Sequence, residues 1–295
     1  MRAVIFSKDR PAQLELLVRS LKEQIREQSS LSIAVLYAAS NSGFGEGYER
    51  FRSLHPEVEL SLQVKDRPIK AQIASLVERE RREFFTFFTD DIVIIRPVAW
   101  TDHPFNVLRR QQDVVSVSLR LNPRVSFCQP LNLAETCPPL DDDLTWDYRS
   151  PTSRWLRLAR AATGYPYPKG DWAGAMFIDG YIFRHDQFVP YFSALPEFSH
   201  VTHIESVMLR NPLPGRRVVC YPESRLVNLV LNRVDTQSQY PHAGGSPGEL
   251  NSRFLSGEVL DYEKLKGLHN TSCHIAVEPD WTTRSNLKSS EANAC

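Results

Sequence analysis

The chain lacks most of what would place it in a membrane, a disulfide scaffold or a nucleic-acid complex. No hydrophobic run among its 295 residues approaches the ~20 residues that span a bilayer. The apolar stretch Ala3-Val4-Ile5-Phe6 is too short for a signal peptide. Cysteines are five, at Cys128, Cys137, Cys220, Cys273 and Cys295. They are scattered and odd in number, and no pair has zinc-ligand spacing, so reduced thiols in a cytoplasmic protein are expected. Neither sign of charge is in excess, with 35 Lys+Arg against 35 Asp+Glu. That disfavours a general nucleic-acid or anionic-lipid surface, while the lack of a run of spanning length limits any membrane contact to a peripheral one. Glycine-rich phosphate loops are missing too. Gly43-Phe44-Gly45-Glu46-Gly47 has the wrong spacing for a dinucleotide fingerprint, follows the second strand rather than the first, and reads as a flexible loop. No Walker A, zinc-protease or nucleophile-elbow pattern and no internal repeat occurs.

What remains is an ordinary globular composition, 42% hydrophobic and 24% charged, in a chain long enough for one large domain or two small ones. Strand and helix signals alternate. Residues 3–6 form a compact strand, followed by a helix with Leu14, Leu17, Leu21 and Ile25 on one stripe. Asp9 suits its N-cap and Pro11 its first turn. Strands follow at 33–37 and 58–64, and a helix carries Ile69, Ile73, Leu76 and Val77. The Phe-rich strand from Phe84 then ends at Asp90-Asp91, and 114–119 reads as a fifth strand. Repeated βα units predict a largely parallel sheet with helices on both faces, binding ligands at the carboxyl ends of its strands. Three charged segments, 7–10, 65–67 and 89–91, should meet on that rim.

Residues 122–170 read as an irregular insert or flap. Residues 173–183 suggest a hairpin turning at Asp179-Gly180. A helix around Ile204 and a strand at 218–221 follow, then a loop beyond Tyr240 and a frayed tail after about Asp280. The domain is expected over 1–240, with 241–295 as a C-terminal extension, partly disordered at its end.

Adjacent carboxylates at the end of a buried strand repel, and burying either unpaired is costly. A divalent cation holding a substrate's phosphates would remove that conflict. Acidic residues also suit a tight turn between strands, so both readings stand. The strand entering Ser7-Lys8-Asp9-Arg10-Pro11, the βα alternation and the acidic pair closing the fourth strand resemble glycosyltransferases of the GT-A fold, most like the family 2 group, over about 1–235. That resemblance implies a GT-A-like, Rossmann-like α/β fold and transfer of a sugar from a nucleotide-diphosphate donor to a glycan or lipid-linked acceptor. The hexosyltransferase-type reaction would be assisted by Mn²⁺ or Mg²⁺, inverting, and suited to polysaccharide biosynthesis.

The same resemblance implies roles for residues. Ser7, Lys8, Asp9, Arg10, Asp66 and Asp90 would hold the nucleotide sugar, and Asp91 the metal, with His242 or His203 as a further ligand. Trp172 and Asp179 would meet the acceptor, and Glu205 would be the base. The family's first acidic position is Thr89 here. Thr202 and Glu205 also have capping-box spacing, which would turn the carboxylate toward backbone instead. A nucleotidyltransferase is the enzymatic alternative, though no glycine follows the first strand. A non-catalytic binding scaffold is the other.

Overall fold

The computed structural model describes residues 1–148, 170–232, 243–278 and 280–286. In chain order, β1 (Arg2–Lys8) leads through α1 (Pro11–Gln24) to β2 (Ser32–Ala38), and α2 (Ser42–Leu54) leads to β3 (Glu59–Leu62). Next come α3 (Ile69–Glu78), β4 (Phe84–Thr89), β5 (Ile92–Ile94), α4 (His103–Arg110) and β6 (Val114–Ser118). The segment expected to be irregular contains a small hairpin, β7 (Phe127–Cys128) with β8 (Leu133–Ala134), and β9 (Thr145–Asp147). The remainder is β10 (Tyr181–Arg184), α5 (His185–Ala194), α6 (Ile204–Arg210), β11 (Arg217–Cys220), β12 (Leu226–Leu229), α7 (Pro247–Ser256), β13 (Glu258–Asp261), β14 (His274–Ile275) and β15 (Asp280–Thr283).

An eight-stranded sheet of order β3-β2-β1-β4-β10-β6-β11-β9 forms the centre. β1 to β4 run parallel, β10 is antiparallel to both β4 and β6, and β11 is parallel to β6. The sequence pattern explains the layers. β1 and β4 carry near-continuous apolar runs, Ala3-Val4-Ile5-Phe6 and Phe84-Phe85-Thr86-Phe87-Phe88, as strands buried on both sides do. Ala3, Ile5, Phe84 and Phe88 enter one core with α1, α2 and α4; Val4, Phe6, Phe85 and Phe87 enter the other with α3, α5 and α6. Phe85 stacks on Phe188 of α5 at 4.5 Å.

Several elements differ from expectation. Residues 43–47 are not a loop but the first turns of α2, capped by Asn41, whose side chain accepts from the Phe44 amide. The lack of Cβ at Gly47 lets α2 lie against Pro11 and Asn251. No hairpin spans 173–183. Only β10 forms, because its partners are β4 and β6, not the preceding segment. The stretch after residue 240 is not all loop. Ser246 and Glu249 close a capping box over Pro247 and start α7. Nor does the chain fray at Asp280, since β15 pairs with β13. Leu250, Phe254, Val259, Leu260 and Tyr262 join the α1 core, so the C-terminal segment completes the domain.

Candidate functional site on the carboxyl rim

The switch point lies between β1 and β4, where the strand order reverses direction in the chain. Because β10 runs antiparallel, the residues entering it stand on the same rim as those leaving β4 and β6. Gly180 locks this arrangement. Its N–H donates to Phe87 O at 3.1 Å, and its carbonyl accepts from the Leu119 amide at 3.1 Å. Its φ of +77° suits glycine, and a Cβ there would collide with Leu226. Thr89, Asp91, Arg120 and Asp179 thereby come together.

Asp90 and Asp91 form a tight turn between β4 and β5 and point to different partners. Asp90 is buried and faces the β1–α1 loop. It accepts from the Lys8 amide and from Arg10 Nη1, both at 3.1 Å. Arg10 also grips Asn232, donating from Nε to Oδ1 at 2.9 Å and from Nη2 to the carbonyl at 2.6 Å. Burial pushes the Asp90 carboxyl up to about 6 against the opposing pull of Arg10, with the Asp91 charge adding to the rise. Ser7 shares a 2.7 Å hydrogen bond with Tyr48, while the Lys8 side chain is exposed. Asp9 does not cap α1. The cap position is Arg10, and the Asp9 carboxylate instead accepts from the Ser40 amide at 2.7 Å, tying the loop after β1 to the loop after β2.

Asp91 turns toward Asp179. The Thr89 hydroxyl lies 2.7 Å from Asp91 Oδ1 and 2.8 Å from Asp179 Oδ1. One hydroxyl carries one proton, so it satisfies only one of these carboxylates at a time. Asn228 Nδ2 approaches Asp91 Oδ1 at 3.4 Å, and Arg120 Nη1 donates to Asp179 Oδ2 at 3.0 Å. Burial raises the Asp179 pKa, Arg120 opposes it and Asp91 adds to it. Arg120 Nη2 binds Asp171 Oδ1 at 2.8 Å, so one guanidinium serves two carboxylates.

Glu205, in the first turn of α6, makes no capping box. The Ile178 amide donates to its Oε1 at 3.0 Å, which holds the carboxyl beside Asp179. Burial, reinforced by the Asp179 charge, pushes it up to about 7. The capping-box spacing misleads because a single turn of 3-10 helix, Val201–His203, capped by His200, precedes α6 and puts His203, not Thr202, at the cap of α6.

Other expected residues lie elsewhere. Trp172 is buried, donates from its indole N–H to Val125 O at 3.0 Å, and meets Trp146 edge-on at 5.0 Å. It packs the core rather than presenting a ring face to an acceptor. Asp66 is exposed in the β3–α3 loop and lines a cleft of ≈ 900 Å³ with Lys65, Arg67, His203, Ser206 and Arg210. His242 lies outside the described residues.

Sequence reasoning missed Arg120, Asn228, Asn232 and Asp171. Arg120 carried a signal, a lone cation directly after the buried strand β6. Asn228 and Asn232 carried none, since pairing of β12 with β5 delivers them to the rim.

Among the described residues, no helix is long and apolar enough to cross a membrane. No protein-family model matches the chain, and no curated protein does. Solved structures are similar in part. The mannosyltransferase PcManGT from Pyrobaculum calidifontis, in complex with GDP-Man and Mn²⁺, is 14% identical over 79% of this chain and 58% of its own, with a TM-score of 0.46. S. aureus TarS 1-349 is 11% identical over 77% of this chain and 59% of its own, also with a TM-score of 0.46. The same fragment with UDP-GlcNAc matches at 10% identity, over 76% and 59%, with a TM-score of 0.41. The chain thus spans less than two thirds of the length of each.

Proposed function

We propose that the protein is a glycosyltransferase that moves a sugar from a nucleotide-diphosphate donor to a hydroxyl acceptor, with inversion. One observation carries the reading: a carboxyl raised to about 7, Glu205, is fixed beside the Asp91–Asp179 pair on the carboxyl rim of the sheet. A base with a pKa near the working pH is half-available to accept the acceptor's proton as its oxygen attacks. The Ile178 amide holds that carboxylate in place, and Arg120 keeps Asp179 aligned through the pair at 3.0 Å. Arg10, anchored by Asp90 and Asn232, stiffens the loop that would border the nucleotide.

The oxygen donors of Asp91 and Asp179 suit Mg²⁺ or Mn²⁺, because the two carboxylates compete for one hydroxyl proton and, among the described residues, Arg120 pairs with Asp179 but no cation pairs with Asp91. Bound there, the ion would act as a Lewis acid on the leaving diphosphate.

A second reading, a binding scaffold without turnover, is favoured by the engagement of both Asp90 oxygens and of Asp179 by the protein's own groups. A thermal-shift panel of UDP-, GDP-, CMP- and dTDP-sugars with and without Mn²⁺, followed by a hydrolysis and transfer assay, tests both. Ligand at about 100 times its Kd adds about 2.7 kcal/mol to stability, and this shift is expected to vanish in Asp91→Ala. Glu205→Gln is expected to keep the shift and lose about 10²–10⁴ in turnover. Binding without turnover in the wild type would select the scaffold, and no shift with any donor would overturn the glycosyltransferase reading.

A further inference from the structure

The β7–β8 hairpin and the turn that follows residue 170 bring a buried thiol, a half-buried carboxylate and a buried carboxylate into one cluster, which Arg120 links to the rim pair. Cys128, Glu135 and Asp171 each offer a donor atom within 4.8 Å of the other two. Asp171 is only 6% exposed. Its Oδ1 is bound by Arg120 Nη2 at 2.8 Å, and its backbone N–H donates to Glu135 Oε1 at 2.6 Å. The second oxygen of each carboxyl, Asp171 Oδ2 and Glu135 Oε2, is buried and has no hydrogen-bond partner. Natural interiors rarely leave such atoms unmatched, since an unsatisfied buried carboxylate oxygen forfeits its desolvation cost with nothing in return. Among the described residues, Arg120 is the one guanidinium bonded to this group, and it is already divided between Asp171 and Asp179.

We infer that Cys128, Glu135 and Asp171 form a binding site for a thiophilic divalent cation, of the Zn²⁺ class. A sulfur donor with two carboxylates matches zinc and its borderline-soft relatives better than Mg²⁺ or Ca²⁺, which favour oxygen alone. Donors at ~2.0–2.3 Å around a tetrahedral ion stand within about 4 Å of each other, so small side-chain rotations close the shell. Three protein ligands leave the fourth position to water. Gly170, at φ +109°, belongs to this geometry, because a Cβ there would strike the Glu135 carboxylate. The ion would staple the hairpin to the turn that leads into residues 174–180, and so fix the approach to Asp179. This inference stands independently of the glycosyltransferase reading.

The test uses the full chain, stripped with chelator under reducing conditions and titrated with Co²⁺. The expected result is near-ultraviolet thiolate-to-cobalt charge transfer saturating at one equivalent, bleached by Zn²⁺ and accompanied by a rise in melting temperature. Asp91→Ala should retain the band, which separates this site from the rim pair. Cys128→Ser should lose it, and Glu135→Gln should weaken binding at least about tenfold. A folded, stripped wild type that gives no thiolate band overturns the proposal without recourse to any variant. So does a band that survives Cys128→Ser, since another cysteine would then be the ligand.

Discussion

Asp90 and Asp91 are adjacent in sequence yet do different work. Asp90 ties β4 to the β1–α1 loop, whereas Asp91 shares a hydroxyl with Asp179. The Asp90 environment has a thermodynamic signature. A carboxyl whose pKa rises on folding, here from 3.8 to about 6, holds its proton more tightly in the folded state. Its contribution is fully present below 3.8 and is lost as pH rises through about 6. Asp90→Asn abolishes that dependence. The stability of the variant relative to wild type should grow by about 2–3 kcal/mol between pH 4 and 7, followed by urea unfolding at each pH. A difference that stays constant over that range would contradict the assignment. The acidic pair was legible because its setting, a β-branched and aromatic strand ending in charge, is local. Its division of labour was not, because Arg10, Asn232 and Asp179 reach it from distant parts of the chain.

At the level of elements, legibility followed the range of the interactions that make each one. α1 and α3 announce themselves by a period near 3.6 residues, and β1, β2, β4 and β6 as short β-branched and aromatic runs. α2 does not. Three glycines in its first six residues argue against a helix, and it forms because Gly47 lets it close on α1 and α7. α7 carried a readable signal in Ser246, Pro247 and Glu249, obscured by the glycines around it. β10 was unreadable as a partner of β4 because no local pattern specifies which strand fills a gap. Gly47→Ala tests the tertiary account of α2. The intrinsic preference of a helix for alanine over glycine would stabilise the variant by about 0.5–1 kcal/mol. The new Cβ would instead press on Asn251 Oδ1 and Pro11 Cγ, so a net loss of about 1–3 kcal/mol is expected. Chemical denaturation reads the sign directly.

On the scale of the whole molecule, the C-terminal segment belongs to the fold. Leu250, Phe254, Val259, Leu260, Tyr262 and Leu265 are all buried in the core beneath α1. At about 1.5–3 kcal/mol per buried side chain, their removal is comparable to the entire 5–15 kcal/mol stability of a domain. Deleting residues 247–286 should therefore abolish cooperative thermal unfolding, seen as a broad, sloping circular dichroism melt in place of a single transition. A truncated protein that melts sharply would show the segment to be an appendage.

The seat of β10 between β4 and β6 bears on how the protein is made. About ninety residues of chain separate β4 from the strand that covers its edge, and contacts of that span form slowly. While a nascent chain awaits residues 181–184, Phe84-Phe85-Thr86-Phe87-Phe88 presents an uncharged, aromatic strand edge of the kind that templates aggregation. The strand that completes the candidate site is thus also the one that protects the chain from its neighbours on the ribosome. Expression at low temperature, or with chaperones that shield exposed strands, should raise the soluble yield more than any change to the finished surface.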